Sequence, residues 1–410
     1  MSGRPAVNIA IVGTGFIAET RARAYAGVAG YAARLVAAVS RTRERGEAYA
    51  QRHGIPDAYT DLERALERPD VDVVDLCVPN YLHRPMTEAA AAAGKHVICS
   101  KPLTAFDGTS LPQEVEPSSV ARTQMLQVAT DNATAMVEAT HRAGVQLMYA
   151  ENWVYAPSIA KADRLATAAG GAILEMRGGE CHSGSHSPYS KQWRTAGGGA
   201  LLRLGVHPIG AMLHLKRQEG LRRWGRPIRP RAVVAEVGDL TRTPGFEAEE
   251  RHWVGTGWID VENWASAVLT FDDGTRGIIW ASDAVLGGME SSLQVLMSNA
   301  HIKCNLSHTR LVEAYAPDAS VFGSEYLTEK LETSAGWSPP QPDEDWAQGH
   351  RQMMQDFVEC VAEGRRPLSD GPLGLDAIRT VYAAYVAAEE GRRVDVWSDH
   401  QDRQPGSHDG

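Results

Sequence analysis

Near the N-terminus, Gly13-Thr14-Gly15-Phe16-Ile17-Ala18 carries the spacing G-x-G-x-x-A directly after a short β-branched run, Val7–Val12. The first glycine permits a tight turn, the second lets backbone approach a pyrophosphate, and the small alanine lets helix and strand pack closely. A dinucleotide's phosphates would then meet the free N–H groups and positive dipole end of the helix that follows, with Phe16 and Ile17 in its first turn. The next strand ends Val39-Ser40-Arg41-Thr42-Arg43. Selection of NAD usually places a carboxylate there to hold the ribose 2′-hydroxyl. Here there is none, and Arg41 or Arg43 offers a bidentate partner for a 2′-phosphate. The expected cofactor is therefore NAD(P), with NADP favoured over NAD. The competing reading leaves both arginines solvated at a helix start and NAD bound without them.

Such residues need a strand–turn–helix scaffold, and the surrounding pattern supplies it. Val7–Val12, Arg34–Ser40, Val71–Val78, Lys95–Cys99 and Val145–Ala150 read as strands; Glu19–Ala26, Arg43–His53, Thr60–Glu67, Pro85–Ala93 and Thr130–Ala143 read as helices. That alternation predicts an α/β fold with a parallel, doubly wound sheet. Between Pro102 and Gln127 turn residues break the pattern, so residues 103–127 read as an inserted, lid-like loop. After Ala150 the character changes. Trp264–Phe271, Gly277–Ala281 and Ser292–Met297, separated by Asp272-Asp273-Gly274 and Gly287-Gly288, read as antiparallel strands with hairpin turns. Helices over Trp346–Gly364 and Gly374–Gly391 close the chain. The expected division is a dinucleotide-binding domain over 1–150, a second α/β domain over 151–397, and a flexible tail over 398–410.

The 410 residues leave room for two or three domains at about 150 residues each. A net charge of −10 argues against a nucleic-acid or anionic-membrane binder, since both need a positive footprint. Five widely spaced cysteines without a C-x-x-C pair point to a reducing compartment. With no apolar run of membrane-spanning length and no secretory-type N-terminus, the expected location is the cytoplasm.

Further stretches carry a family pattern: Cys77-Val78-Pro79-Asn80-Tyr81-Leu82-His83, then Gly94-Lys95-His96-Val97-Ile98-Cys99-Ser100-Lys101-Pro102, Trp193-Arg194, Gly197–Leu201, Gly205-Val206-His207-Pro208 and Val261–Ser266. On these motifs the chain, over residues 7–395, resembles the Gfo/Idh/MocA family, named for glucose-fructose oxidoreductase, inositol dehydrogenase and a rhizopine catabolism protein. The resemblance implies a Rossmann domain joined to an α/β domain with a large open, mainly antiparallel sheet, assembled as a homodimer or homotetramer. It also implies hydride transfer at a sugar or cyclitol carbinol. By position, Lys101 matches the lysine that reaches the reacting hydroxyl and His207 the acid/base histidine. Pro79, Asn80, His83, Lys101, Trp193 and Arg194 join Gly13, Gly15, Phe16, Ile17, Ser40 and Arg41 on the cofactor side. The residue types suit the chemistry, because imidazole titrates near working pH and an ammonium stabilises a developing alkoxide.

Two positions depart from the family pattern. Ser100 stands where relatives carry Glu, and Arg203 where they carry Asp, four residues before the histidine. An arginine would depress a nearby imidazole's pKa and offer donors to an anion, unless it pairs with a local carboxylate. The polar stretch Cys181–Arg194 falls at the family's substrate-facing loop, and His182, His186, Tyr189 and Lys191 there are donors suited to a carboxylate, sulfonate or phosphate on a sugar-like substrate. Asn152 is a further candidate for contact with substrate or nicotinamide. A zinc site at Cys181, His182 and His186 lacks a fourth ligand at recognisable spacing, so no metal is expected. The leading expectation is an NAD(P)-dependent sugar or polyol oxidoreductase acting on a substrate that can be anionic. The alternatives are a redox-neutral, NAD-dependent glycosidase that works by oxidation, elimination and reduction, and a non-catalytic dinucleotide-binding protein.

Overall fold

The computed structural model describes residues 5–397 apart from 107, 109–110, 186 and 308–311; the expected tail at 398–410 lies outside them. Six short apolar strands, β1 (Ala6–Val12), β2 (Ala32–Val39), β3 (Asp57–Tyr59), β4 (Val73–Leu76), β5 (His96–Ser100) and β6 (Leu147–Ala150), form a parallel sheet of order β3-β2-β1-β4-β5-β6. The connections include α1 (Phe16–Ala26), α2 (Arg43–His53), α3 (Leu62–Leu66), α4 (His83–Ala92) and α5 (Arg122–Ala143). This is the doubly wound order whose ligands bind beyond the carboxyl ends of the strands, where the winding reverses. Registers Val12↔Val39, Val12↔Leu76, Leu76↔Cys99 and Ser100↔Ala150 align those ends. Gly13, Cys77, Lys101 and Glu151, each one residue past its strand, therefore emerge along one edge.

Helix α6 (Pro157–Ala169) leads into a second sheet made of β7 (Ile173–Cys181), β8 (Pro230–Gly238), β9 (Trp264–Phe271), β10 (Arg276–Ser282), β11 (Glu290–Met297) and β12 (His301–Asn305). A small hairpin, β13 (Ala314–Ala316) with β14 (Gly336–Ser338), follows, and β15 (Val394–Asp395) completes an edge of the seven-stranded order β12-β11-β7-β10-β9-β8-β15. Only β7 and β10 pair in parallel; the other contacts are antiparallel. Along β9, Ala265, Ala267, Leu269 and Phe271 alternate inward, as a sheet covered on one face requires. Helices α7 (Val206–Trp224) and α9 (Gly371–Glu390) cover that face, and α8 (His350–Glu363) returns to pack on α1.

Three differences from the sequence reading bear on the site. Helix α7 went unread because Val206 to Lys216 are all buried, so no polar stripe marks its period. Helix α5 begins eight residues before the expected Thr130, with Met125, Ala129, Ala133 and Met136 forming its buried stripe. Third, described residues of the inserted stretch are tied to the second half of the chain: Phe106 N–H donates to Tyr382 Oη (2.7 Å), and the Arg194 guanidinium donates to the carbonyls of Gly108 (3.3 Å) and Val115 (2.5 Å). Among the described residues no helix is long and apolar enough to cross a membrane.

One buried carboxylate organises the entry to α7. Glu262 accepts from Gly199 N (3.1 Å), Leu201 N (3.0 Å) and Tyr385 Oη (2.7 Å). Removing it strands the buried Leu201 N–H and the Tyr385 hydroxyl, each costing about 1–3 kcal/mol when unpaired, while Gly199 N keeps Tyr385 Oη as an acceptor (3.2 Å). Glu262→Ala is expected to lower unfolding free energy in urea by at least about 2 kcal/mol; a change under about 0.5 kcal/mol, the surface-substitution range, would count against this role.

Candidate active site

The carboxyl edge of the parallel sheet, the carboxyl end of β7 and the start of β11 border a cavity of about 610 Å³. At one end stands the glycine turn. Gly13 has φ +98°, and a Cβ there would lie 2.2 Å from the Cys77 carbonyl oxygen, so only glycine lets the chain turn between β1 and β4. A Cβ on Gly15 would meet nothing within 4 Å, and the residue opens onto the cavity beside Phe16 and Ile17. No side chain caps α1. Its first-turn N–H groups are thus available to an anion, and the turn fits a dinucleotide's pyrophosphate.

The reactive groups come from four elements. Lys101, just past β5, donates from Nζ to the carbonyl of Arg203 (2.6 Å). That carbonyl belongs to a π-helical turn, Leu201–Gly205, whose wider winding leads directly into α7. His207 occupies the first turn of α7, next to Pro208, which fits there because a helix start needs no N–H partner. Its Nδ1 lies 2.6 Å from Oε1 of Glu151, just past β6. Gly210, one turn further along α7, makes room for this pair: a Cβ there would lie 2.7 Å from Glu151 Cγ. Trp153 stacks against the imidazole, with centroids 6.0 Å apart and planes 14° apart. Burial raises the Glu151 carboxyl to about 8, opposed by the charge of Lys101. Burial, reinforced by Lys101, pushes His207 down to about 3. The two groups therefore share one proton and avoid a buried ion pair.

Beyond His207 the wall is more acidic than the sequence reading anticipated. Arg203, 14% exposed in its side chain, forms an ion pair with fully buried Asp283, one residue past β10, and its guanidinium lies 5.4 Å from the Trp258 ring centroid. His182 Nδ1 accepts from Gly184 N (2.9 Å) and lies 3.4 Å from the same aspartate. Glu180 on β7 and the pair Glu329 and Lys330 complete this side. Lys330 has φ +62° and donates to the Gly184 carbonyl (3.3 Å). Burial raises the carboxyls of Glu180, Asp283 and Glu329 above the ordinary range.

Of the residues singled out from sequence, Gly15, Phe16, Ile17, Pro79, Asn80, His83, Lys101, Asn152, His182, Tyr189, Arg203 and His207 line the cavity. Gly13 shapes the turn behind it. His83 is clamped between the carbonyls of Val78, Pro102 and Leu103 at 3.0–3.1 Å, which ties the ends of β4 and β5 together. Asn152 donates to the Gln348 carbonyl (2.9 Å). Ser40 meets Thr14 Oγ1 (3.2 Å), and Arg41 is exposed beyond β2; neither reaches the cavity wall.

Three of the residues singled out lie away from the cavity. Trp193 is buried against Tyr385, Arg194 holds the insertion, and Lys191 donates to the Thr256 carbonyl (2.5 Å), so none of the three reaches the cavity. His186 lies outside the described residues. Sequence reasoning gave no role to Glu151, Glu180, Asp283, Glu329 or His350. Glu151 adjoins Asn152, which could have flagged it; the others come from distant strands and loops without a motif.

A Rossmann sheet whose glycine turn opens onto a lysine–histidine pair, backed by a large mixed sheet, defines a nicotinamide-type oxidoreductase architecture. The chain belongs to the Gfo/Idh/MocA oxidoreductase family: residues 7–150 match its NAD-binding Rossmann fold and residues 171–396 its C-terminal alpha/beta domain. It is 24% identical to D-apiose dehydrogenase of Paraburkholderia graminis over 95% of this chain and 89% of that protein. It is 31% identical to levoglucosan dehydrogenase of Pseudarthrobacter phenanthrenivorans over 51% of each chain, so the match spans about half of that relative; it likewise spans 46% of 1,5-anhydro-D-fructose reductase of Ensifer adhaerens, at 32% identity over 42% of this chain. Among solved structures, GenD2 from gentamicin A biosynthesis, in complex with NAD, superposes with TM-score 0.75 at 26% identity, covering 96% of this chain and 97% of that one.

The Glu151 carboxyl has a testable signature. Its folded pKa is raised, so its stabilising contribution is full below the ordinary value of 4.5 and is lost as pH rises through about 8. Over that window the wild-type Tm is expected to fall more steeply than that of Glu151→Gln; parallel Tm–pH curves would refute the shared-proton arrangement.

Proposed function

We propose that this chain transfers a hydride between a nicotinamide cofactor and a hydroxyl carbon of a sugar, cyclitol or related polyol. The observation that carries this reading is that Lys101 and His207 converge on the cavity onto which Gly15 opens. The names of the relatives, dehydrogenases and a reductase of sugars, support the substrate class. Gly13, Gly15, Phe16 and Ile17 would hold the dinucleotide's phosphates, and Ser40 and Arg41 its ribose side. Pro79 and Asn80, whose Oδ1 is buried and unpartnered among the described residues, would hold the other end. The cofactor supplies a hydride acceptor or donor.

The remaining chemistry belongs to the protein. Lys101 Nζ spends one N–H on the Arg203 carbonyl and has two left for the substrate oxygen, whose developing negative charge the ammonium stabilises. In the oxidative direction His207 accepts the hydroxyl proton at Nε2 while its Nδ1 proton passes to Glu151. Moving the proton onto a carboxyl raised to about 8 leaves both groups neutral and avoids a buried imidazolium. The pairing of Arg203 with Asp283 favours a neutral polyol over an anionic one. The absence of a carboxylate after β2, with Arg41 exposed there, favours NADP over NAD. Partly exposed Val268, Ile278, Trp280 and Leu296 on the uncovered sheet face support a homo-oligomer.

The test is turnover of D-apiose, D-xylose, levoglucosan and myo-inositol, followed at 340 nm with each cofactor. Lys101→Ala and His207→Ala are expected to lower kcat on the order of 10²- to 10⁴-fold with dinucleotide affinity intact; wild-type turnover in either would overturn its role. Oxidative kcat should rise with pH through about 8 and reductive kcat should fall, and a flat profile over that range would exclude Glu151 as the proton acceptor. Arg41→Ala should weaken NADP binding more than NAD binding; equal effects on both cofactors would remove the case for NADP.

A further inference from the structure

Glu180 is the penultimate residue of β7, held by its pairing with Ala281 of β10, and it points its side chain into the cavity. The residue is only 5% exposed. Among the described residues no hydrogen bond reaches its carboxylate. His207 Nε2 lies 4.0 Å from Oε1, beyond hydrogen-bonding range. Buried carboxylates are ordinarily hydrogen-bonded, because leaving one unpaired costs several kcal/mol of lost hydration. A site that keeps such a group facing a cavity has a donor to receive from a ligand.

The surroundings narrow that donor. An ionised carboxylate only accepts hydrogen bonds. A ligand ammonium would have to share the space with the Lys101 ammonium, whose charge acts on Glu180. Of the other carboxylates on this side, Asp283 is already engaged by Arg203 and Glu329 adjoins Lys330, whose charge acts on it. Hydroxyl groups remain. His207 Nδ1 is committed to Glu151, so Nε2 and Glu180 Oε1 face one another across a gap that a ligand oxygen can bridge. We infer that Glu180 is a specificity-determining residue that accepts a hydrogen bond from the substrate hydroxyl adjacent to the one held by Lys101 and His207, so that the enzyme selects neutral vicinal diols. Arg203 stands beside this gap paired to Asp283, and Glu180 brings an unpaired carboxylate to the pocket from β7.

This inference rests on the sugar reading above, and the experiment separates the two. Protein saturated with NADH, which holds an alcohol without oxidising it, is titrated calorimetrically with D-glucose and its 2-, 3- and 4-deoxy forms. Wild type is expected to bind at least one deoxy sugar on the order of tenfold more weakly than glucose. In Glu180→Ala that discrimination should collapse to within about twofold while NADH affinity is unchanged. The isosteric Glu180→Gln, with NADH binding as the check on folding, should lie between the two. Discrimination undiminished in both variants would overturn the role of Glu180 and leave the sugar reading standing. Failure of wild type to bind any of the four sugars while binding NADH, together with no turnover of D-apiose, D-xylose, levoglucosan or myo-inositol with either cofactor, would overturn the sugar reading and this inference together.

Discussion

The hydrogen bond between Glu151 and His207 joins the carboxyl edge of one sheet to the first turn of the helix that covers the other. It is made in a water-poor interior, where a carboxylate beside an imidazolium would lose more hydration than their attraction returns. The pair settles on a single shared proton, with Glu151 raised and His207 lowered. Several local features serve this contact. Gly210 clears the approach, Trp153 fixes the ring plane, and Glu262 gathers the N–H groups of the segment that delivers α7. The π-helical turn just before His207 presents the Arg203 carbonyl that anchors Lys101.

The charges of the cavity follow from the same economy of hydration. Lys101, Arg203 and Lys330 line the cavity with Glu180 and Glu329, while Asp283 is buried against Arg203 and Glu151, behind His207, is neutral when it holds the shared proton. The result is a site near electrical balance. Sequence reasoning had placed Lys101, His207, Arg203, Lys191, His182 and His186 around the substrate and Arg194 on the cofactor side. Lys191 and Arg194 instead hold backbone carbonyls elsewhere, and Arg203 is neutralised by a carboxylate eighty residues away. Hydroxyl groups, which both donate and accept, suit such a mixed wall better than a bare anion.

What was legible in the sequence was local. The Gly13–Ala18 turn, the strands β1, β2, β4 and β5, helix α2 and strand β9 follow from period, β-branching and glycine placement over a dozen residues or fewer. The family pattern drew Lys101 and His207 out of lysines and histidines that resemble ordinary surface or structural residues when taken alone. Helix α7 was hidden because a helix buried on nearly all sides has no polar face to reveal its period.

The sequence by itself therefore determined the class of fold and the dinucleotide turn, which are encoded in contiguous spacing, and its family resemblance marked Lys101 and His207 as candidates. Only the tertiary structure decided their partners. Glu151 meets His207, Asp283 meets Arg203, and Glu180 faces the gap between them because strand ends far apart in the chain are aligned by sheet register. Their proton affinities depend on burial and on one another's charge, which no single stretch of sequence contains.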